Sequence, residues 1–503
     1  MSKSTKSRNT NVSQALFAVS ALLLPVIYGL MARPLFFEQV PLPLEIVFII
    51  SAIIAVSQLF YLGFSWETIQ KAIADKLSQA IPTILLLFAI GLLIGSWIVS
   101  GTIPMLIYYA LKVVSPEHIY LIAFIVPIFF SMCTGTSWGS IATIGLVLIT
   151  VANVIHADLG IAAGAIVAGA YFGDKLSPLS DTTNIAAMAV NVELNQHIHS
   201  MLYTTLPSAI LAGIVFFVLD FIYPAQLSTS ALIGEPISVS QLDILQQTLS
   251  GIAVLFHFHW ILLVPLFIIL YGSLTKKSPL PVLIISSMVA CLLALLFQTF
   301  SFADTIQTLY QGFDITMANS NEFSQLPEHI AVLFNRGGLY ALNAPIVITI
   351  LVFIYVGAID CINAIPTLIK HLLAGIQKSS SLISTSLIAS AITNAMTSSQ
   401  YANSFIVGEA FSGKYDQLGI PRKVLSRSLE DTGTMIESLV PWSTTAVFIY
   451  ATLGVSVQEY WHWQLLSLIN IPLAFLFAYL GIGCFKSKAI KPEKFNNGLE
   501  QYG

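Results

Sequence analysis

The chain has 503 residues, 56% hydrophobic and only 9% charged, with a mean hydropathy of +0.83 and a formal net charge of −4. Soluble domains carry about a quarter charged residues, so the composition excludes a water-soluble fold, and with no basic stripe it argues against a nucleic-acid partner. Four scattered cysteines (Cys133, Cys291, Cys361, Cys484), without CxxC or Cys/His spacing, argue against a disulfide framework or a zinc site, and no cofactor is expected.

The N-terminus, MSKSTKSRNTN, is basic and polar and leads into an apolar run with no small-residue cleavage pattern after Met31. It reads as a retained first helix (1–42) with its positive end in the cytoplasm. Further apolar runs, near the twenty residues that cross a bilayer, occupy 43–64, 81–100, 118–133, 209–223, 260–274, 280–300, 344–359 and 463–481. The polar stretch 65–80, with Lys71 and Lys76, reads as a cytoplasmic return. Shorter, polar-interrupted runs raise the expectation to about 11–13 spans or half-spans. In lipid the backbone must satisfy itself, and the runs are too long and non-alternating for barrel strands. An all-α polytopic bundle is expected.

Two halves are visible. GTSWGS begins at Gly135 and SPLSDTTN at Ser177, 42 residues apart; TSSQYAN begins at Thr397 and SLVPWSTT at Ser438, 41 apart. A similar tail follows each second motif, broken early by Pro207 or Pro472. GLLIGSWIVSGTIP (91–104) and NRGGLYALNAP (335–345) form a weaker correspondence. Halves interrupted by Gly, Pro and polar residues at matching places point to a secondary transporter. The expected organisation is a first repeat 43–224, a linker 225–257, a second repeat 258–482 and a polar tail 483–503, with an amphipathic surface segment at 303–336.

In CTGTSWGS the chain must turn or unwind, and irregular backbone within a membrane is tolerated only where buried or lining water. Thr134, Thr136 and Ser137 would then offer hard oxygen ligands to a cation such as sodium. In GDKLSPLSDTTN two acids, Asp174 and Asp181, flank Pro178. An aspartate deep in a membrane costs about 2.5–3.5 kcal/mol on insertion scales and so calls for a partner or a function. Lys175 is a candidate partner. SDTTN (Thr182, Thr183, Asn184) reads as a helix start capped by Ser180 or Asp181. Asp181 is the first choice and Asp174 the second for a carboxylate over which sodium and protons compete. In the second half the corresponding polar residues are Asn394, Ser398, Ser399, Gln400, Asn403, Glu430, Asp431, Ser443, Thr444 and Thr445, with Asp360 and Asn363 as further candidates. Glu430 and Asp431 diverge by about 100° on a helix, so one is expected to pair with Arg427 or Arg422 while the other faces the cavity. The histidines at 197, 199, 257 and 259 read as surface or interfacial.

At GLLIGSW, SGTIPMLIYYAL, GTSWGSIATIG, GAYFGDKLSPLSDTTN, LSRSLEDTGT and LVPWSTT the chain closely resembles the NhaC family of sodium/proton antiporters, within the ion transporter superfamily. The resemblance implies two inverted repeats whose re-entrant hairpins meet at the midplane. It also implies exchange of sodium for protons across a bacterial cytoplasmic membrane, and a homodimer as the common assembly. Relatives exchange malate, lactate or amino acids, and such a carrier would need a cavity arginine, for which Arg336 is the candidate. A membrane enzyme is disfavoured, since no HExxH, GxSxG or phosphate-binding loop occurs.

Overall fold

An apolar segment in lipid can satisfy its own amides only as a helix, and every regular element among the described residues is helical. The computed structural model describes residues 11–225, 239–275, 277–317, 331, 333–373 and 375–485. Among these, nine helices are long and apolar enough to cross a bilayer. The number reaches eleven when two bent pairs each count as one span: Gln246–Leu255 with Trp260–Leu274 (96°) and Val457–Trp463 with Leu465–Leu480 (54°). Shorter apolar helices run over Thr102–Val113, Ala364–Leu373 and Thr444–Leu453. The chain is an all-α, multi-pass membrane protein.

Several helices overrun their apolar stretches. The polar stretch 65–80, expected as a return loop, is instead the first half of a 34-residue helix, Trp66–Val99. Ser65 starts it by accepting the Thr68 amide at 3.3 Å. Lys76 ties it to the helix Asn343–Asp360 through Asp360 at 2.6 Å, which gives Asp360 a structural ion pair. Of the expected linker, 226–238 lies outside the described residues and Val239–Leu255 is helical. Residues 1–10, most of the tail (486–503) and 318–330 of the expected surface segment are likewise outside them. The described start of that segment, Phe302–Gln311, is a helix closed by a Ser301/Asp304 capping box.

At the centre lies Leu159–Leu176, here the Asp174 helix, in which every residue from Gly160 to Lys175 is buried. Its small residues let neighbouring backbones approach closely. A Cβ at Gly169 or Gly173 would run into the carbonyl oxygens of Phe124 or Ile128 on the adjoining helix, Ile119–Thr134. Ser131 of that helix donates to the Ala170 carbonyl at 2.7 Å. A second buried helix, 422–437, here the Glu430 helix, changes to π geometry over Leu429–Thr434. Such bulges are frequent at functional sites.

Two helix breaks share one construction. Ile119–Thr134 ends on Gly135 in the left-handed region (φ 69°), and Thr136 follows as an extended cap (φ −150°, ψ 124°) for the next helix. Ser379–Thr397 ends on Ser398 (φ 51°), followed by Ser399 (φ −146°, ψ 113°). The weaker correspondence of GLLIG with NRGG does not hold as equivalence: one is mid-helix and the other a turn, and they pack on each other. Gly338 donates to the Gly91 carbonyl at 2.8 Å, and a Cβ on Gly91 would sit 2.5 Å from the Gly338 oxygen.

Gly169→Ala should lower the thermal unfolding midpoint of detergent-solubilised protein by several degrees, since overpacking costs about 1–3 kcal/mol. Gly413→Ala, where an added Cβ meets nothing within 4 Å, should leave it unchanged or slightly raised.

Candidate functional site

The Asp174 helix stops because Ser177 precedes Pro178, and a residue before proline is pushed out of helical geometry. Ser180 then caps the short helix Asp181–Ala189, accepting the Thr183 amide at 3.4 Å. This turn folds over the first break: Ser177 donates to the Met132 carbonyl at 2.9 Å, and a Cβ on Gly135 would meet Leu179. The sequence-distant motifs therefore meet. Asp174 is buried, and its Oδ2 accepts Ser137 Oγ at 2.8 Å. Ser180 is also placed to donate to this carboxylate, and the hydroxyl of Thr134, at the end of the preceding helix, has no hydrogen-bond partner among the described residues. Thr136 serves the backbone instead, accepting the Gly139 amide at 3.2 Å.

The other residues of that motif are placed differently from expectation. Asp181 is exposed in the first turn of its helix, so the buried aspartate is Asp174. Thr182 shares a hydroxyl contact with Ser180 at 3.1 Å, Thr183 donates to the Lys175 carbonyl at 3.3 Å, and Asn184 donates to the Ser180 carbonyl at 2.6 Å. All three hold the turn.

At the second break Glu437, just ahead of the SLVPWSTT motif and outside the residues singled out above, occupies the centre. Its carboxylate accepts Asn394 Nδ2 at 2.9 Å and Thr445 Oγ1 at 3.1 Å, while Ser443 donates to its backbone carbonyl. Asn394 also donates to Gln400 Oε1 at 2.9 Å, and that oxygen accepts Asn403 Nδ2 at 3.1 Å. Gln400 Nε2 reaches the Leu429 carbonyl of the π segment at 3.3 Å. Gly433 is what lets these amides approach: a Cβ there would lie 2.6 Å from Ser390 Oγ and 2.9 Å from Gln400 Oε1. Ser399 caps its helix, accepting the Ala402 amide at 3.2 Å, and Thr444 donates to the Ser398 carbonyl at 3.2 Å. The Ser398 hydroxyl and the side-chain oxygens of Asn394 and Asn403 have no partner among the described residues.

Between the two breaks lies a buried ion network. Lys175, expected to neutralise a neighbouring aspartate, instead reaches across to Asp431 at 3.1 Å, with both side chains 1% exposed. Arg427 approaches the same carboxylate at 3.7 Å. Thr204 donates to both its oxygens at 3.0 and 2.9 Å, and Asn470 Nδ2 reaches it at 3.2 Å. Arg422 is spent elsewhere, on Asp416 at 2.6 Å. Glu430, one residue away, is fully buried, with the Thr434 hydroxyl near its carboxylate and no ion pair among the described residues. His197, expected at a surface or interface, is buried against Ser426 at 2.8 Å. The signal for Thr204, Asn470 and Glu437 was weak in sequence: Asn470 lies in a largely apolar run, Thr204 adjoins Thr205, and Glu437 falls between the LEDTGT and SLVPWSTT motifs without belonging to either.

Among the described residues no three His, Cys, Asp or Glu side chains converge as a metal-binding group. The oxygens without donors are carboxylate, hydroxyl and amide atoms, hard and at most singly charged, a set suited to a monovalent cation. Arg336 lies half-buried in the NRGG turn, with no ion pair among the described residues and with burial pulling its pKa below the usual guanidinium value.

The sequence profile described as "Na+/H+ antiporter family" matches residues 169–482. An uncharacterized Na(+)/H(+) antiporter of Haemophilus influenzae is 37% identical, covering 92% of this chain and 96% of that protein. The Na(+)/H(+) antiporter NhaC of Bacillus subtilis is 32% identical over 84% of this chain and 88% of its own. The malate-2H(+)/Na(+)-lactate antiporter of the same organism is 30% identical, covering 90% and 93%. The chain belongs to the Na+/H+ antiporter family.

Lys175→Ala should destabilise the protein by about 3–5 kcal/mol, because it strips a partner from a buried carboxylate. The double variant Lys175→Met with Asp431→Asn should lose less than the sum of the single changes in a double-mutant cycle of unfolding midpoints.

Proposed function

We propose that this member of the family exchanges sodium for protons across the bacterial cytoplasmic membrane by alternating access. One observation carries the reading. Asp174, buried at a helix break, is met only by neutral donors, Ser137 and Ser180, and pairs with no base among the described residues. A carboxylate in such a place is bound by one cation or by one proton, never both at full strength. Sodium lowers its affinity for a proton, a proton displaces sodium, and the competition is the exchange. Ser137, Thr134 and carbonyls freed by the break complete the oxygen set. Asp181, exposed in the first turn of the next helix, attracts cations to the mouth. Ser398, Ser399, Gln400, Asn403, Ser443 and Thr444 shape the opposite break.

The matching construction of the two breaks supports reading 43–224 and 258–482 as related halves that rock against each other, exposing the occupied site alternately to either face. The basic N-terminus would lie in the cytoplasm. All the residues named here come from one chain, so a homodimer would hold two complete sites. The protein is a carrier rather than an enzyme.

Purified protein in proteoliposomes with an imposed pH gradient tests this. Sodium, but not potassium or choline, should dissipate the gradient. Asp174→Asn should abolish the response while eluting as a monodisperse species, and Asp181→Asn should reduce it less. Apparent sodium affinity should weaken as pH falls, approaching about tenfold per unit for one competing proton. Sodium-driven exchange retained by Asp174→Asn would remove that residue from the centre.

A second reading, sodium- or proton-coupled exchange of a small organic anion, rests on Arg336, which lacks an ion pair among the described residues. The Bacillus subtilis relative named for malate and lactate is compatible with it. A response that needs added malate or lactate, and is lost in Arg336→Gln, would favour this reading.

A further inference from the structure

The two breaks do more than resemble each other; they lie at one fixed offset. Adding 263 to Thr134, Gly135 and Thr136 gives Thr397, Ser398 and Ser399: last helical residue, left-handed residue and extended cap in each case. The same offset takes Pro178 to Pro441 and Ser180 to Ser443, each serine capping a short helix through its hydroxyl. It also takes Asp174 to Glu437. Each carboxylate thus stands 40 residues after the end of the helix preceding its break, and six before its capping serine.

Their environments match in kind. Both are buried, 7% and 8% exposed, and both accept only neutral donors among the described residues. The buried bases of this core, Lys175 and Arg427, are committed to Asp431. No base is left for either carboxylate. Beside Glu437, Asn394 turns its amide nitrogen to the carboxylate and leaves its own oxygen without a donor, though the residue is wholly buried. The Ser398 hydroxyl, 4% exposed, is likewise unpartnered. Both Glu437 oxygens are taken by neutral donors, whereas Asp174 Oδ1 is not. Yet each break sets a buried carboxylate without a base among oxygens that lack donors: the Thr134 hydroxyl at one, the Asn394 oxygen and Ser398 hydroxyl at the other.

We propose that Glu437, with Asn394 and Ser398, forms a second sodium position, equivalent to the one at Asp174, so that the loaded carrier holds two sodium ions. The proposal rests on the exchange reading above and extends it. Four acids, Asp174, Glu430, Asp431 and Glu437, face two bases in this buried core. Two monovalent cations bring the count to neutrality, which a low-dielectric interior favours strongly.

The test is equilibrium binding of radioactive sodium to purified wild-type protein at alkaline pH, read as ions per chain, alongside the proteoliposome assay. Wild type should bind two sodium ions per chain. Glu437→Gln and Asp174→Asn should each bind one, and the double variant none. Glu437→Asp, which keeps the charge, should restore the second ion at weaker affinity. A wild-type stoichiometry of one in protein that exchanges sodium for protons would overturn the second position and leave the exchange reading intact. Wild type that neither binds nor exchanges sodium would overturn both. Because the decisive number comes from the unmodified protein, a variant that misfolds does not blunt the test.

Discussion

The contact on which the rest of the interior depends is the ion pair between Lys175 and Asp431. It joins the Asp174 helix to the Glu430 helix, and its other partners bring in two more: Thr204 from Leu194–Ile222 and Asn470 from Leu465–Leu480. Four helices from both ends of the sequence are thereby pinned at one carboxylate. The pin also orients its neighbours. Adjacent residues on a helix diverge by about 100°, so fixing Lys175 directs Asp174 toward the first break, and fixing Asp431 turns Glu430 away from the network. Satisfying one charge pair leaves the adjoining acids without an ion pair among the described residues.

Small residues make this geometry possible. Gly169 and Gly173 bring the Asp174 helix against neighbouring carbonyls, and Gly433 admits the Asn403 and Gln400 amides to the π segment. Had these positions carried side chains, the helices would stand farther apart, and the hydroxyls at the breaks would not reach the carboxylates. Packing and polar contact are one problem here: the same close approach that gains van der Waals contact between helices brings Ser137 within 2.8 Å of Asp174 and Thr445 within 3.1 Å of Glu437.

Much of this was legible beforehand, because composition and run length speak directly to the membrane and Gly, Pro and hydroxyl residues mark breaks. The helical bundle and the breaks at Gly135 and Ser398 follow from such local signals, whereas the convergence of hairpins was only what the family resemblance implied. What the sequence concealed was direction and register. Lys175 sits next to Asp174, yet it pairs with a residue 256 positions away, and nothing local reports where a side chain crosses to another helix. Asp181 follows a capping serine and looks buried by context, but after the turn at Pro178 its side chain is exposed. Glu437 was missed for a subtler reason. Motif starts placed 42 and 41 residues apart set the halves one to two positions out of register, and that slip hides the equivalence of Glu437 with Asp174. The backbone angles of the breaks supply the correct alignment.

The two breaks are alike in shape but not in comfort. Glycine enters the left-handed region freely, as Gly135 does, whereas Ser398 holds the same conformation at a penalty of about 1–2 kcal/mol for a residue with a Cβ. One joint of the carrier is therefore relaxed and the other sprung. If each joint yields when its side opens, the molecule dwells unequally in its two orientations even between identical solutions. The equilibrium distribution of ions would be untouched, but the outward and return strokes would run at different speeds.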